Sequence, residues 1–176
     1  MSLFENKKSV KGKKSIVIYF SRADENYAVG NIEKGNTEVI AEYIKEITGA
    51  DLFKVDPLKP YSKNYKECCE EALQEKKQNA RPELKKYLKD ILEYEVIYIG
   101  SPIYWGTMPM SMFTQLEKFN FSNKMIKVFT THEGSGLGSV VEDVRKICKG
   151  ANILDSLAIQ GSTVYSAKEK VENWIK

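Results

Sequence analysis

Three short apolar runs constrain this chain most: Ser15-Ile16-Val17-Ile18-Tyr19-Phe20, Val96-Ile97-Tyr98-Ile99 and Met125-Ile126-Lys127-Val128-Phe129-Thr130. They are rich in β-branched and aromatic residues and nearly continuous rather than alternating. That pattern marks strands buried on both faces, as in a parallel sheet. Leu52–Val55 and Ile153–Ile159 read as two further strands. Between the strands the period changes to that of helices. Val39, Ile40, Tyr43, Ile44 and Ile47 form one stripe, with Gly49 as a stop. A charged helix is expected over 64–79, with Tyr65, Cys68, Cys69, Ala72 and Leu73 inward. Another is expected to start at Pro82, with Leu84, Tyr87, Leu88, Ile91 and Leu92 as its stripe. Helices near 110–118, 140–148 and 167–175 complete the pattern. Strands and helices alternate five times, which implies right-handed crossovers and helices on both faces of the sheet. The expected fold is an α/β doubly wound, five-stranded parallel sheet of order 2-1-3-4-5.

In that order the chain reverses direction between the first and third strands. Ligands bind at the carboxyl ends of strands beside such a switch point. The loops after the first, third and fourth strands border it, and all three have unusual composition. The first, after Ser21-Arg22, ends in Gly35-Asn36-Thr37 at the start of a helix, where unpaired N–H groups and the helix dipole suit a phosphate. The same residues also suit a simple N-cap. The second, Gly100-Ser101-Pro102-Ile103-Tyr104-Trp105-Gly106-Thr107-Met108-Pro109, carries two adjacent aromatics. Tyr104 and Trp105 can stack on a flat ligand or fold back onto the core. The third, Thr131-His132-Glu133-Gly134-Ser135-Gly136-Leu137-Gly138, offers closely spaced backbone donors and small side chains. One phosphate at the first loop and a flat polar ring between the other two describe flavin mononucleotide (FMN).

Other motifs are weaker. Residues 30–37 resemble a triphosphate-binding loop, but Asn36 stands where that loop has the lysine that reaches the phosphates. Gly134-Ser135-Gly136-Leu137-Gly138 is one residue short of a dinucleotide fingerprint and follows the wrong strand. His132 and the scattered cysteines Cys68, Cys69 and Cys148 have no metal-ligand spacing, and no catalytic residue is assigned. With no CxxC, the cysteines are expected to be free thiols in a reducing compartment.

The net charge of +3 arises at the N-terminus. Residues 1–14 hold five lysines and one glutamate, net +4, so residues 15–176 carry −1. Residues 1–14 are therefore read as a flexible basic leader, and residues 15–176 as one domain. A near-neutral body argues against the basic face that nucleic acids need. It also lacks the acidic surface by which many small electron carriers dock. No apolar run approaches the ~20 residues of a membrane span, so a cytoplasmic location is expected.

The three loops together resemble those of the flavodoxin family, in a short-chain, bacterial flavodoxin-like form, and the resemblance covers residues 15–176. It implies that Ser21, Arg22, Gly35, Asn36 and Thr37 surround the phosphate. Ser101, Pro102, Ile103, Tyr104, Trp105 and Gly106 would wall the ring, and Thr131, His132, Glu133, Gly134, Ser135 and Gly136 its pyrimidine edge. Flavodoxins usually run directly into Gly-Asn-Thr, whereas residues 23–34 are inserted here, and segment 57–82 exceeds a minimal crossover. The fifth strand shows no long interruption. Two functions remain open. One is an FMN-dependent oxidoreductase that takes hydride from a nicotinamide donor and passes it to a quinone-type acceptor. The other is a non-enzymatic carrier between redox partner proteins. Tyr27 of the insertion bears on the choice, because it can cover the ring.

Overall fold

The computed structural model describes residues 9–176. Its sheet is built around β1 (Ser15–Tyr19), β5 (Val96–Pro102) and β6 (Met125–His132). β1 pairs in parallel with both β4 (Asp51–Lys54) and β5, and β5 pairs in parallel with β6. β7 (Asn152–Ile153) and β8 (Leu157–Gln160) both add to the free edge of β6. The order is the expected 2-1-3-4-5, with six strands in five positions. Two further short strands, β2 (Asp24–Asn26) and β3 (Gly30–Ile32), form a separate antiparallel hairpin.

Because side chains alternate across a strand, the two faces of the sheet fill two cores. Ile16, Ile18 and Phe20 join Ile97, Ile99, Ile126 and Val128 on one face. There they meet residues of α3 (Met110–Leu116) and α4 (Val140–Ile147). Val17, Tyr19, Val96, Tyr98 and Phe129 face the other side, against α1 (Asn36–Thr48) and α5 (Lys168–Ile175). Gly100 lets the layers close, since a Cβ there would stand 2.1 Å from the Phe129 ring. α1 ends at Gly49, whose φ of 75° lets its N–H reach the Lys45 carbonyl.

Three expectations are corrected. Residues 82–92 form no helix. Leu84 and Ile91 are buried, but Leu92 is 83% exposed, so the apparent stripe is not one face. The backbone bonds outward instead. Leu58 N–H donates to Glu83 O, Lys85 N–H donates to Asp56 O, and the buried Gln115 amide exchanges two hydrogen bonds with the Leu88 backbone. The insertion 23–34, read as a loop, contains the β2–β3 hairpin. The fifth strand is broken. Between its two pairings, Lys127 and Val128 of β6 face three residues, Leu154, Asp155 and Ser156, a bulge of one extra residue. The buried Lys127 fills the gap, its Nζ donating to Asp155 Oδ1 at 2.7 Å and Trp174 O at 2.9 Å.

α2 (Tyr65–Lys77) forms where expected, capped by Asn64, whose side chain accepts the Glu67 N–H. Of the leader read at 1–14, residues 1–8 lie outside the described residues. Over 9–14, Val10 packs on the second core and Lys14 pairs with Glu93. No helix among the described residues is long and apolar enough to cross a membrane.

Candidate functional site

Parallel strands place the carboxyl ends of β1, β5 and β6 on one edge of the sheet, and the three loops converge there. Between them lies a cavity of about 310 Å³, within the range of small-molecule sites. Ten of the residues expected at the site line it: Arg22, Asn36, Thr37, Pro102, Ile103, Tyr104, Thr131, His132, Glu133 and Ser135.

The anion end is the start of α1. Ser21 is buried, and its hydroxyl accepts the Glu38 N–H at 3.0 Å rather than facing the cavity. Gly35 supports that arrangement, because a Cβ there would meet Ser21 Oγ at 2.1 Å and Arg22 N and O at 2.8 Å. With Glu38 taken by Ser21 and Val39 by Gly35 O, the amides of Asn36 and Thr37 donate to no group among the described residues. Both residues line the cavity. Two free N–H groups at the head of a 13-residue helix are a ready anion site. Thr37 Oγ1 is fixed at 2.8 Å from Thr131 Oγ1, which joins the first loop to the third.

The second loop separates the two aromatics. Tyr104 packs edge-on against Phe20 and Tyr61, at centroid distances of 5.5 and 5.7 Å. Burial pushes its hydroxyl well above the ordinary tyrosine value. Trp105 and Gly106, at φ of 53° and 87°, make a tight turn closed by the Tyr104–Thr107 bridge. That turn sends the Trp105 indole outward. It is 48% exposed, and its N–H donates to Cys69 O at 2.8 Å. Trp105 borders a second cavity and not the first. Ser101 and Gly106 do not line the first cavity either. Ser101 is buried with its hydroxyl on Pro102 O, and Gly106 O accepts the Ser139 N–H, tying the second loop to α4.

In the third loop, His132 Nδ1 accepts the Gly134 N–H at 2.9 Å, and Thr130 Oγ1 donates to Gly136 O at 2.8 Å. These bonds shape the loop, while Gly134 and Gly136 stay off the cavity wall. Glu133 turns toward the end of β8, where its carboxylate accepts the Ser162 N–H at 2.8 Å and Gln160 Nε2 at 3.3 Å. Both donors help to offset its charge near the anion end.

Arg22 does not present its guanidinium tip to the anion end. The tip donates to the carbonyls of Glu25, Ser62 and Lys63. Its Nε is buried without a partner, and the residue lines both cavities. Sequence reasoning missed Asn26 as a wall residue and read Tyr65 as a core residue. Tyr27 and Tyr65 stand together on the cavity wall, centroids 6.0 Å apart. Nothing in the helical spacing distinguishes Tyr65, which occupies the first residue of α2.

The second cavity, about 260 Å³, lies under α2 and shares Arg22, Asn26, Tyr65, Ile103 and Tyr104 with the first. All three cysteines are free. Among the described residues no cluster of His, Cys, Asp and Glu can hold a metal ion.

A doubly wound parallel sheet with free helix-start amides and a cleft at its switch point defines an α/β protein of flavodoxin-like fold. A family model described as flavodoxin matches residues 14–176, and the chain belongs to that family. Among solved structures, it is similar to a candidate flavoprotein from Bacteroides uniformis, with 25% identity, 94% of this chain and 99% of that chain covered, and a TM-score of 0.74. It shares its fold with a flavoprotein in complex with FMN from Lactobacillus acidophilus (21% identity, 88% and 97% covered, TM-score 0.64). It also shares it with oxidised flavodoxin 2 from Bacillus cereus (20%, 92% and 94%, TM-score 0.56). No curated protein matches the sequence.

Proposed function

We propose that this chain is a cytoplasmic FMN-binding oxidoreductase that takes electrons or hydride from a reduced donor, such as a nicotinamide, and delivers them to a quinone-type acceptor. The observation that carries the reading is that two unused helix-start amides, those of Asn36 and Thr37, line one cavity together with Pro102, Ile103 and Tyr104. The free amides fit a phosphate monoester, and the wall fits a planar ring.

Bound FMN supplies the redox chemistry. Asn36 and Thr37 hold the phosphate, and Thr37 keeps the third loop in register through Thr131. Pro102 and Ile103 carry one ring face. His132, Glu133 and Ser135 also line the cavity, where backbone donors can meet polar ring edges.

A second reading, a carrier that hands electrons between proteins and transforms no small molecule, is favoured by Tyr27, which reaches the cavity from the hairpin. Rapid mixing with NADH or NADPH separates the two. Direct bleaching of the flavin absorbance within seconds supports the oxidoreductase. Absence of bleaching by either nucleotide, with one-electron photoreduction intact, refutes a nicotinamide-driven oxidoreductase in favour of the carrier. A protein that binds no FMN on titration refutes both.

A further inference from the structure

The residues lining the first cavity that carry a side-chain N–H are Arg22, Asn26, Asn36 and His132. Two of them are spent inside the protein. The Arg22 tip donates to the carbonyls of Glu25, Ser62 and Lys63, and its Nε is buried. The Asn26 amide donates to the carbonyls of Arg22, Ala23 and Asp24. Asn36 belongs to the anion end. His132, the only histidine in the chain, is left. Its Nδ1 accepts the Gly134 N–H at 2.9 Å. Nδ1 therefore carries no hydrogen, and the neutral imidazole carries it on Nε2. That Nε2–H donates to no group among the described residues. The buried side-chain polar atoms without partners among them are Arg22 Nε and Ser111 Oγ, so His132 Nε2 is accessible. The neighbouring acid does not claim it, because Glu133 turns its carboxylate to Ser162 N–H and Gln160 Nε2. The third loop thus fixes one nitrogen of His132 and leaves the other as an open donor. Holding the loop requires only the first.

We propose that His132 tunes the redox balance of the bound cofactor: its Nε2–H donates to an acceptor atom of the flavin ring and holds the reduced ring more tightly than the oxidised one. This rests on the FMN reading above. The ring gains negative charge on reduction, and hydrogen bonds to ionised acceptors are roughly twice as strong as those between neutral groups. A partner that binds one of two states more tightly shifts the equilibrium toward that state, so the donor favours electron uptake. Fixing Nδ1 on the Gly134 N–H is what keeps the hydrogen on Nε2 and the ring in one orientation.

The test compares His132→Asn with His132→Gln in the FMN-loaded protein. The asparagine oxygen can accept the Gly134 N–H as an Asx turn does, but it puts no donor at the Nε2 position. Glutamine does the reverse, carrying an N–H to about that position and giving up the loop bond. Equilibrium reduction with xanthine and xanthine oxidase against a reference dye gives the ratio of affinities for reduced and oxidised FMN. His132→Asn should lower that ratio at least about tenfold, which is about 30 mV for a two-electron couple. His132→Gln should stay within about threefold of wild type. A ratio in His132→Asn within about threefold of wild type overturns the proposal, whatever His132→Gln does, and leaves the FMN reading standing. Nuclear magnetic resonance of the wild type with isotopically labelled histidine decides the matter if His132→Asn does not fold or if both variants fall. The FMN-loaded protein should show hydrogen on Nε2, with its N–H resonance moving downfield when dithionite reduces the flavin. Hydrogen on Nδ1, or an Nε2–H resonance that is lost to water exchange, unmoved or shifted upfield, overturns the proposal. Failure to bind FMN overturns both readings.

Discussion

Replacing Gly35 by alanine should be far more damaging than its ordinary backbone angles suggest. Gly35 sits at φ −63° and ψ 149°, a conformation open to any residue, so strain from a left-handed backbone plays no part. The damage is steric. The added Cβ would lie 2.1 Å from Ser21 Oγ and 2.8 Å from both Arg22 N and Arg22 O. Carbon contacts are most favourable near about 3.5 Å, so the hydroxyl must retreat by roughly 1 Å. It then loses the Glu38 N–H it accepts at 3.0 Å. Overpacking costs about 1–3 kcal/mol and loss of a helix-start acceptor about 0.5–2 kcal/mol. Gly35→Ala should therefore destabilise the apoprotein by about 2–4 kcal/mol, measured as a fall in urea midpoint at unchanged slope. Adding Ser21→Ala removes the worst contact but leaves the backbone of Arg22 in place, so the double variant should recover only part of the loss. A single variant within about 0.5 kcal/mol of wild type, or full recovery in the double variant, would refute the reasoning.

Thr37→Ala should weaken FMN binding much more than riboflavin binding, because it loosens the helix start proposed to hold the phosphate; equal losses in fluorescence titrations would place the phosphate elsewhere. At the bulge, Asp155→Ala leaves the buried Lys127 ammonium with the Trp174 carbonyl as its remaining acceptor. It should cost more than Lys127→Met, which removes the charge and should cost under about 1.5 kcal/mol; the reverse order in urea unfolding would contradict this. Burial raises the Glu75 carboxyl above its ordinary value of 4.5, opposed by the Tyr61 hydroxyl bonded to it. The folded state thus keeps a proton that the unfolded chain has released, and this contribution to stability is lost as pH rises from the ordinary value through the raised one. Glu75→Gln should flatten that part of the stability–pH curve, and parallel curves for variant and wild type would refute the assignment.

The sheet was legible because β1, β5 and β6 are buried on both faces and say so in continuous apolar runs. The site was legible for a related reason: parallel order brings Asn36–Thr37, Pro102–Tyr104 and Thr131–Ser135 to one edge regardless of their separation in sequence. What the sequence concealed depends on partners far along the chain. Leu84, Leu88 and Ile91 have helical spacing, yet Gln115 offers Leu88 both a donor and an acceptor, and Lys124 Nζ donates to the carbonyls of Ile91 and Tyr94. Such tertiary bonds outweigh a propensity of tenths of a kcal/mol per residue. The hairpin was hidden because Ala28 in its turn, a residue without the usual turn signature, takes a φ of 64°. Trp105 was paired with Tyr104 by adjacency, but the turn through Gly106 sends the two rings to different surroundings.

The Arg22 guanidinium has a dynamic consequence. By gripping Glu25 O in the hairpin and Ser62 O and Lys63 O ahead of α2, one side chain fastens two segments some forty residues apart. Glu25 reinforces the join, its carboxylate accepting the Tyr65 N–H at 3.0 Å. The hairpin and the head of α2 thus form one cooperative unit set on the rim of the parallel sheet. Their amide hydrogens should exchange together, at a lower opening free energy than the sheet. Breathing of that unit would loosen both cavities in a single movement, because Arg22, Asn26 and Tyr65 line each of them.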